Sequence, residues 1–537
     1  MKDNQGKLTR REFIQTSAMG AAGLAMGGGM AGCSKGPSQP LPTLVPLSGR
    51  PQLDPSERPN IILLFSDQHR YDAMGCMGNP VIQTPNLDGL AARGVNLTNT
   101  HCAAPICQPS RASILTGLYP HQHGVTYNVR DELDPNFPTM PRQLQKTGYK
   151  TAIIGKTHYW NIRGKDSVGF SLLKWGIDVR EKEDYIRHFG FDDVIEEFDL
   201  YVHAYKKAHI YTRYSDYLKE RGSLEKYKKQ IQSVWRKSAT YWDGRTSVLS
   251  QEENLTSFTT REATNWIKQQ DQGRPFFLNV GYVAPHVPLI SDPIWADYYK
   301  DKEIPLGNQD FPEKPNEIWG KWLDREYKNS NTHMLTRDYL MNSARHYYGM
   351  VSLIDQGIGD IVKTLEEQGV ADNTWILYSS DHGEMLGDHK LMGKTVFYKP
   401  SVQVPNIITP PKGMPAKTVD APIEGVDIPA TILDIAGAEK LPKSSGQSLL
   451  PIVKGEAPKK EVAFSEVGPT IDEKVRLFVS AATERYRLTY ETTTQSPCEL
   501  FDLQEDPGEL TNRINDPAVR KIRDDMISDL ILPHMSD

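Results

Sequence analysis

Four apolar runs, each followed by polar residues within a few positions, constrain the fold of this chain more than any other feature of the sequence. The first run covers residues 60–65 and reads Asn-Ile-Ile-Leu-Leu-Phe. The others cover residues 151–154, 275–280 and 374–379. A largely apolar run of this length is typical of a strand that is buried on both faces of a parallel sheet. We therefore expect an α/β fold built on a mostly parallel sheet.

Polar residues stand at the point where each predicted strand ends. Residues 66–68 read Ser-Asp-Gln, residues 155–158 read Gly-Lys-Thr-His, residues 284–286 read Ala-Pro-His, and residues 381–382 read Asp-His. Open α/β sheets bind their ligands in the crevice beyond the carboxyl ends of the strands. The sequence therefore predicts a polar site at one edge of the sheet.

Helical and irregular segments separate the strands. Apolar residues spaced three and four positions apart predict helices over 85–92 and 344–367. Residues 201–253 carry no strand pattern and are rich in Tyr, Trp, Lys and Arg, so we interpret them as an inserted helical or loop excursion. Short strands return near the C-terminus, at 487–490 and 499–503.

The N-terminus has the features of an export signal. Arg10 and Arg11 precede a mildly apolar run rich in Ala and Gly, and Cys33 follows Met-Ala-Gly. This pattern resembles a twin-arginine signal that ends in a bacterial lipobox, which would make Cys33 the lipidated first residue of the mature protein. An ordinary cleaved signal with a chance cysteine is the alternative. We expect an exported periplasmic or cell-surface lipoprotein of a bacterium, which contacts the membrane only through its lipidated N-terminus.

The chain then divides into four parts. Residues 1–33 form the signal, and residues 34–58 form a linker whose prolines keep it stiff and extended. Residues 59–455 form the main domain, and residues 456–537 form a smaller C-terminal subdomain. Beyond the N-terminus no apolar run is long enough to span a bilayer. The net charge of −6 argues against a nucleic-acid-binding protein.

Beyond the signal the chain has four cysteines, Cys76, Cys102, Cys107 and Cys498. Their spacing matches neither a zinc site nor a dense disulfide framework. A bridge from Cys76 or Cys102 stays open at this point, because spacing alone does not decide it. Taken alone, a solitary cysteine is more often a small buried hydrophobe than a reactive group.

Residues 107–111 read Cys-Gln-Pro-Ser-Arg and are followed by Ala-Ser-Ile-Leu-Thr-Gly. This stretch resembles the signature of the type I sulfatases. The resemblance implies that a formylglycine-generating maturation enzyme oxidises Cys107 to formylglycine (3-oxoalanine), an aldehyde whose hydrate is the nucleophile. It also implies that Arg111 binds the nucleophile oxygen and the sulfate.

By the same resemblance, four residues bind a divalent metal together with the oxidised Cys107: Asp67, Gln68, Asp381 and His382. Gln68 and His382 stand where many members carry Asp and Asn, as in the branch that includes choline sulfatases and phosphonate monoester hydrolases. Oxygen ligands favour Ca²⁺, whereas an imidazole is better tolerated by Mn²⁺, and Mg²⁺ is a further option. For any one of these aspartates, a helix cap is the alternative interpretation.

Four further basic residues complete the predicted site. The family commonly carries Gly-Lys-Trp-His where residues 155–158 read Gly-Lys-Thr-His. The resemblance implies that Lys156 and Lys394 bind sulfate oxygens. It implies that His158 takes a proton from the nucleophile, and that His286, with Lys394, protonates the leaving oxygen.

The resemblance also predicts the fold and the reaction. The fold is an alkaline-phosphatase-like α/β architecture, in which helices sandwich a large mixed, mostly parallel sheet and a smaller C-terminal α+β subdomain follows. The reaction is hydrolysis of sulfate esters, which makes the protein a sulfuric ester hydrolase. Because the chain carries an export signal, we expect a sulfated poly- or oligosaccharide as the substrate. We expect His69 and Arg70, next to the metal ligands, to be structural.

Other functions stay open on the sequence alone. Within the enzymes these are a phosphonate or phosphate ester hydrolase and a small-molecule sulfatase acting on choline sulfate or aryl sulfates. From another class, a surface lipoprotein could bind sulfated glycan without turning it over. Eight aromatic residues of the insertion either stack on sugars or form the insertion's own core; they are Tyr201, Tyr205, Tyr211, Tyr214, Tyr217, Trp235, Tyr241 and Trp242.

Overall fold

The computed structural model describes residues 58–536, apart from the segments 129, 161–176, 200–209, 235–240, 272 and 459. The predicted signal, residues 1–33, and the predicted linker up to residue 57 lie outside the described residues. So do Tyr201, Tyr205 and Trp235 of the insertion.

Within the described residues the structure shows neither a membrane-spanning helix nor a disulfide bond. No helix there combines the length and the apolar character needed to cross a bilayer. The four cysteines there are free thiols, so neither Cys76 nor Cys102 forms a bridge in this structure.

Eight strands form the central sheet. In chain order they are β1 (Asn60–Asp67), β2 (Val95–Leu97), β3 (Lys150–Gly155), β4 (Asp193–Glu196), β5 (Phe276–Pro285), β6 (Thr374–Ser380), β7 (Asn406–Thr409) and β8 (Lys417–Val419). Their order across the sheet is β8-β2-β7-β6-β1-β5-β3-β4. From β6 to β4 all neighbours are parallel, and β8 is parallel to β2. Only β7, within this sheet, is antiparallel to its neighbours.

The strands predicted from the apolar runs are β1, β3, β5 and β6, and they occupy the centre of the sheet. Every residue of β1 and β5 is buried. Successive side chains of a strand point to opposite faces, so this burial requires a packed layer on each face. The prediction of a mostly parallel sheet is confirmed, and the carboxyl ends of these four strands lie side by side.

Helices provide those two layers. Ile61 of β1 lies in a core shared with Leu144 of the helix Met140–Lys146. Ile62, on the other face, lies in a core shared with Ile358 of the helix Arg337–Glu367. The α-helices of the described chain are Pro85–Ala92, Cys107–Thr116, Pro120–His123, Met140–Lys146, Glu183–Arg187, Arg213–Glu220, Leu224–Val234, Leu255–Lys268, Pro293–Tyr299, Glu317–Ser330, Arg337–Glu367, Lys399–Val402, Asp427–Ile435, Leu450–Val453, Arg520–Asp525 and Leu532–Ser536.

Both predicted helices form, but the second begins earlier than expected. The first spans Pro85–Ala92, as predicted. The second spans Arg337–Glu367 rather than 344–367. The side chain of Thr336 accepts a hydrogen bond from the backbone N–H of Tyr339 and so caps the helix at this earlier point. Polar residues dominate the added turns, so the apolar spacing does not reveal them.

The described part of the insertion is mainly helical, and several of its aromatic residues form its own core. Tyr214 and Tyr227 lie in one hydrophobic cluster with Phe258 of the following helix. The ring of Tyr214 packs against both of the other rings, at centroid distances of 5.9 and 5.4 Å. These tyrosines are therefore not a sugar-binding surface, whereas Tyr241 and Trp242 lie elsewhere and are described with the site.

A smaller antiparallel sheet follows, made of β9 (Val462–Val467), β10 (Phe478–Thr483), β11 (Tyr486–Glu491) and β12 (Ser496–Asp502). Its strands pair in chain order. Val519 and Ile531 of the C-terminal helical segment pack against this sheet in one hydrophobic cluster. The predicted strands 487–490 and 499–503 fall on β11 and β12, and the predicted α+β character is confirmed. The predicted boundary at residues 455 and 456 stays a prediction.

Glu466 of β9 links this sheet to two distant histidines. Its Oε1 accepts hydrogen bonds from Nδ1 of His121 and Nε2 of His534, each at 2.7 Å. Burial opposes ionisation of Glu466, but the hydrogen bonds from the two histidines outweigh it and lower the pKa to about 2. Because the folded pKa lies below the unfolded one, this contribution to stability is present at neutral pH and is lost as the pH falls toward the folded value.

We expect Glu466→Gln to lower the free energy of unfolding by about 3 kcal/mol at pH 7. At pH 3 the loss should shrink to roughly half, because the unfolded chain is then mostly protonated at this position. Urea unfolding at both pH values, followed by tryptophan fluorescence, measures the difference. Glu456→Gln changes an exposed glutamate and should have no effect at either pH. An equal loss for Glu466→Gln at pH 7 and pH 3 would contradict this linkage.

Candidate active site

The predicted site residues come together at the carboxyl ends of four central strands. Asp67 is the last residue of β1, and Asp381 directly follows β6. Lys156 directly follows β3, and His286 directly follows β5. Because β6, β1, β5 and β3 are parallel neighbours, their ends present these four side chains to one crevice.

Cys107 is the first residue of the buried helix Cys107–Thr116, and its side chain lies next to the residues at the ends of β1 and β6. Its Sγ lies 3.1 Å from Nε2 of His382 and 3.8 Å from Oδ1 of Asp67. Burial, followed by the charge of Asp67, raises the pKa of the thiol to about 12. The unmodified thiol therefore stays protonated at neutral pH and is a weak nucleophile.

Four donor side chains converge within 4.8 Å of one another: Asp67, Cys107, Asp381 and His382. Nδ1 of His382 donates to the carbonyl oxygen of Gly383 at 2.9 Å, which leaves the lone pair on Nε2, the nitrogen that faces Cys107. Burial, followed by the charge of Lys394, holds the pKa of His382 well below its usual value. The imidazole is therefore neutral, which is the form that binds a metal.

The two carboxylates of this cluster, Asp67 and Asp381, are not both readily ionised. Burial alone would raise the pKa of Asp67, but the charge of Lys156, with other nearby cations, lowers it well below its usual value. Burial, followed by the charge of Asp67, raises the pKa of Asp381. A second negative charge is thus unfavourable unless a further positive charge enters. A divalent cation supplies that charge, and the donor set is one that such cations bind.

The side chain of Gln68 bridges Glu384 and Lys394. Its Nε2 donates to the carboxylate of Glu384, and its Oε1 accepts from Nζ of Lys394. Its backbone has a φ of 71°, a left-handed conformation that is unfavourable for glutamine. Two hydrogen bonds hold it there: the Gln68 N–H donates to Asp381 at 3.0 Å, and the Tyr347 hydroxyl donates to the Gln68 carbonyl at 2.6 Å.

Two buried cations balance the carboxylates. Arg111 lies 2.8 Å from Asp381 and 3.2 Å from Asp67. Nζ of Lys156 lies 2.7 Å from Asp67 and 3.0 Å from Asp199. Burial by itself lowers the pKa of Lys156, but Asp199 and Asp67 raise it overall, so the ammonium group stays charged. In this structure both cations contact carboxylates, and their predicted contacts with sulfate stay a prediction.

His158 and His286 are both buried and neutral. Burial is the main reason that both pKa values lie well below the usual value. The next largest contribution is the charge of Lys156 for His158 and the charge of Lys394 for His286. Nδ1 of His286 donates to the carbonyl oxygen of Val287 at 2.7 Å, which leaves the lone pair on Nε2. Nδ1 of His158 has no hydrogen-bond partner among the described residues. Both imidazoles are thus able to accept a proton.

A cavity of about 490 Å³ opens beside Lys394 and His286. A Cβ atom at Gly393 would come within 2.9 Å of the Trp242 ring, so the glycine allows this ring to pack next to Lys394. Nε1 of Trp242 donates to the backbone carbonyl oxygen of Asn329, which also lines the cavity, at 3.2 Å. The cavity is also lined by Tyr241, Glu326, Lys328 and Asn331. The cavity therefore combines an aromatic wall with polar side chains beside the basic residues.

Two residues of this site are missed by the sequence analysis. Asp199 contacts Lys156, and its Oδ1 lies 3.7 Å from Nδ1 of His286. It follows β4, a short strand at the sheet edge that lacks a continuous apolar run. Glu384 lies beyond Asp381 in a loop, and only its contact with Gln68 shows that it belongs to the site. A polar cluster after β4 is the one signal that the sequence offers for Asp199.

His69 and Arg70 contact the framework rather than the crevice. The ring nitrogens of His69 contact the hydroxyl of Tyr378 and, at 2.9 Å, the carbonyl oxygen of Ala73. Arg70 forms an ion pair with Asp388 at 3.0 Å. These contacts agree with the structural role expected of both residues.

Comparisons with known proteins show the family. The sulfatase family matches residues 59–438, and the C-terminal region of N-sulphoglucosamine sulphohydrolase matches residues 387–534. An arylsulfatase of Clostridium perfringens is 30% identical and covers 85% of this chain and 90% of its own length. An N-acetylglucosamine-6-O-sulfatase of Bacteroides thetaiotaomicron is 27% identical and covers 88% of this chain and 87% of its own length.

A solved structure shares the fold. The phosphonate monoester hydrolase of Agrobacterium radiobacter superposes with a TM-score of 0.69, at 24% identity, over 89% of this chain and 96% of that one. The family match spans most of the chain and includes every residue of the crevice. The chain therefore belongs to the sulfatase family and is a sulfuric ester hydrolase.

Proposed function

We propose that the protein removes sulfate from sulfated carbohydrates, with Cys107 in its formylglycine form and a divalent metal beside it. The observation that carries the proposal is the set of donor atoms around Sγ of Cys107. A protonated, buried thiol is a poor nucleophile for attack on a sulfate ester. The hydrated aldehyde of formylglycine would supply a hydroxyl nucleophile at the same position.

The residues present fit a divalent cation. Asp67, Asp381 and His382 would hold it together with the modified Cys107, and Oε1 of Gln68 adds a further oxygen donor. Carboxylate and amide oxygens make Ca²⁺ our first choice, whereas the imidazole keeps Mn²⁺ an option and Mg²⁺ a third. When bound, the metal would polarise the sulfate and favour the deprotonated nucleophile.

Three cations of this chain prepare the crevice for a sulfate group. Lys394 lines the cavity, so it meets the sulfate from the substrate side. Arg111 and Lys156 lie against Asp67 and are held rigidly by their ion pairs. Fixed positive charges stabilise the negative charge that grows on the sulfuryl and leaving oxygens as the ester bond breaks.

Two histidines of this chain move protons. His158, neutral and buried near Lys156, accepts a proton from the nucleophile. His286 lines the cavity and so lies on the side from which the ester leaves. The ammonium group of Lys394, which lines the same cavity, supplies the proton, and Nε2 of His286 relays it to the leaving oxygen. This division of roles follows the positions of the two rings relative to the cavity.

The cavity supports a carbohydrate substrate. The half-buried ring of Tyr241, which packs against the buried ring of Trp242, suits the apolar face of a sugar ring, and the amide and charged side chains of the cavity suit hydroxyl and sulfate groups. One relative is named for action on N-acetylglucosamine 6-O-sulfate, and another of 28% identity is named an ulvan-active sulfatase. The predicted export signal supports this proposal, because such polymers are met outside the cytoplasm.

We expect Tyr241→Ala to lower kcat/KM for a sulfated oligosaccharide by about tenfold, because the stacking surface is lost. A small aryl sulfate has less substrate beyond the sulfate group to contact this wall, so we expect its kcat/KM to fall much less. Ion chromatography of released sulfate measures both reactions. Tyr298→Ala, a matched control, removes an exposed tyrosine that does not line the cavity, and both reactions should be unaffected. Equal losses on both substrates would contradict a carbohydrate pocket at this wall.

The rival functions give different results in the same assay. By the resemblance stated in the sequence analysis, Gln68 and His382 match the branch that includes the phosphonate monoester hydrolases, so a phosphonate monoester with the same leaving group is the critical comparison. A higher kcat/KM for the phosphonate than for the sulfate would overturn the proposed substrate class. Fast turnover of choline sulfate with none of glycans would indicate a small-molecule sulfatase. Tight glycan binding without sulfate release would indicate a binding protein.

We propose that the protein is exported and held at a membrane surface by lipid on Cys33. The sequence around Arg10 and Arg11 and the Met-Ala-Gly-Cys end of the apolar run support this. We expect the protein in the membrane fraction and Cys33→Ser in the soluble fraction. Membrane association that survives this substitution would contradict the lipid anchor.

A further inference from the structure

We propose that Glu384 is a positioning residue that fixes the Gln68 side chain with its oxygen, not its nitrogen, toward the metal ligands. This inference rests on the proposed metal. A glutamine amide has an oxygen on one side and an NH₂ group on the other, and the two differ little in shape. Only the oxygen has a lone pair that a cation can use. Whatever sets the orientation of the amide therefore decides whether Gln68 is a ligand.

The contacts of Glu384 leave one orientation. Glu384 is fully buried, and its Oε1 accepts hydrogen bonds from the backbone N–H groups of Leu386 at 2.8 Å and Gly393 at 2.6 Å. Its Oε2 is the atom that meets Gln68. A carboxylate only accepts hydrogen bonds, so Gln68 must turn its NH₂ group toward Glu384.

The other side of the amide agrees with this. The Oε1 atom of Gln68 accepts a hydrogen bond from Nζ of Lys394. An ammonium group only donates, so it requires an oxygen at this position. If the amide were reversed, NH₂ would face NH₃⁺ on one side and oxygen would face carboxylate on the other. Both contacts would be unfavourable in a buried site.

Glu384 also positions the segment that carries Lys394. The hydrogen bond from the Gly393 N–H places Gly393 against Glu384, and Lys394 is the next residue. One carboxylate thus holds both the amide that contributes an oxygen to the crevice and the loop that contributes the lysine. Glu384 itself contacts neither the cavity nor Cys107 in any contact that the structure shows, so it acts through Gln68 and not on substrate.

Glu384→Gln tests the proposal because the new amide has a forced orientation. Its oxygen must stay with the two backbone N–H donors, so its NH₂ group faces Gln68. Gln68 then turns its oxygen toward position 384 and its NH₂ toward the metal ligands. We expect Ca²⁺ to bind about 10- to 100-fold more weakly than to the parent protein.

The double variant Gln68→Glu/Glu384→Gln separates this mechanism from a merely structural effect. In it the carboxylate at position 68 accepts from the NH₂ at position 384 with one oxygen and offers the other to the metal and to Lys394. We expect the double variant to recover most of the Ca²⁺ affinity that Glu384→Gln loses. The carboxylate at position 68 also adds a negative charge beside the cation, so the melting curve decides the remaining case: general disruption of the loop would lower the melting temperature of Glu384→Gln, whereas a turned amide leaves it near that of the parent.

The measurement is Ca²⁺ titration of the metal-free full-length protein in competition with a chromophoric chelator, with thermal melting to confirm that each variant folds. Weak binding by Glu384→Gln and recovery in the double variant would support the proposal. Unchanged affinity in Glu384→Gln would overturn it, and so would a folded double variant that binds as weakly as the single one. A parent protein that binds neither Ca²⁺ nor Mn²⁺ would overturn the proposed metal and this inference with it.

Discussion

Replacing Cys107 with alanine is expected to lower kcat/KM for sulfate-ester hydrolysis by about 10⁴-fold or more. In our account the side chain of Cys107 carries the nucleophile after its oxidation, and the methyl group of alanine cannot take its place. Alanine favours a helix and leaves the Cys107–Thr116 helix intact, so the loss should lie in kcat and not in folding. Initial rates with an aryl sulfate, together with a thermal melt, measure both.

Cys498→Ala is the matched control for this variant. Cys498 is equally buried, but it lies in β12 of the C-terminal sheet and contacts Asn316, outside the crevice. Removing its sulfur should leave kcat/KM near the parent value. A Cys107→Ala variant with activity close to that of the parent would contradict the assignment of the nucleophile.

Lys156→Met is expected to lower the free energy of unfolding by about 3–5 kcal/mol and to remove activity. Lys156 is fully buried between Asp67 and Asp199, so methionine of similar length leaves two buried carboxylates with too little positive charge. Activity falls because the crevice also loses a cation that stabilises the departing sulfate. Urea unfolding in the presence of a chelator and steady-state kinetics measure the two effects separately.

Two further variants make this prediction specific. Lys156→Met/Asp199→Asn removes one of the two uncompensated charges, so it should recover part of the stability but none of the activity. Lys300→Met changes an exposed lysine paired with Asp297 at the surface and should change neither quantity. A stable and active Lys156→Met protein would contradict the role of Lys156 in the charge balance of the crevice.

The core of this fold can be predicted from the sequence because its central strands are buried on both faces. β1, β3, β5 and β6 appear as apolar runs for that reason, and their polar ends mark the crevice. β4 lies at the sheet edge, alternates between half-buried and buried residues, and is rich in acidic side chains, so it leaves no such run. The missed strand explains why Asp199 is missed with it.

The identity of the site residues is easier to predict than their partners. Asp67, Asp381, His382 and Cys107 do converge, as the resemblance to the sulfatases implies. The ion pairs of the buried cations and the contact between Glu384 and Gln68 depend on which strand ends lie side by side. Gln68 and Glu384 lie 316 positions apart, and Arg111 and Asp381 lie 270 positions apart, so no local pattern in the sequence encodes these contacts.

The roles of the aromatic residues in the insertion likewise cannot be predicted from the local sequence. Tyr214 and Tyr241 belong to one stretch of similar composition, which favours neither role. The structure places Tyr214 in the core of the insertion and Tyr241 on the wall of the cavity. Burial, decided by tertiary packing, separates a core residue from a candidate sugar platform.

The central claim is that Cys107 works as formylglycine. Peptide mass spectrometry of the segment around residues 107–111, from protein purified out of its own host, tests it most directly. Our account predicts a residue in which oxygen replaces the sulfur and two hydrogens are lost. An unmodified cysteine in protein that still releases sulfate at full rate would contradict the account.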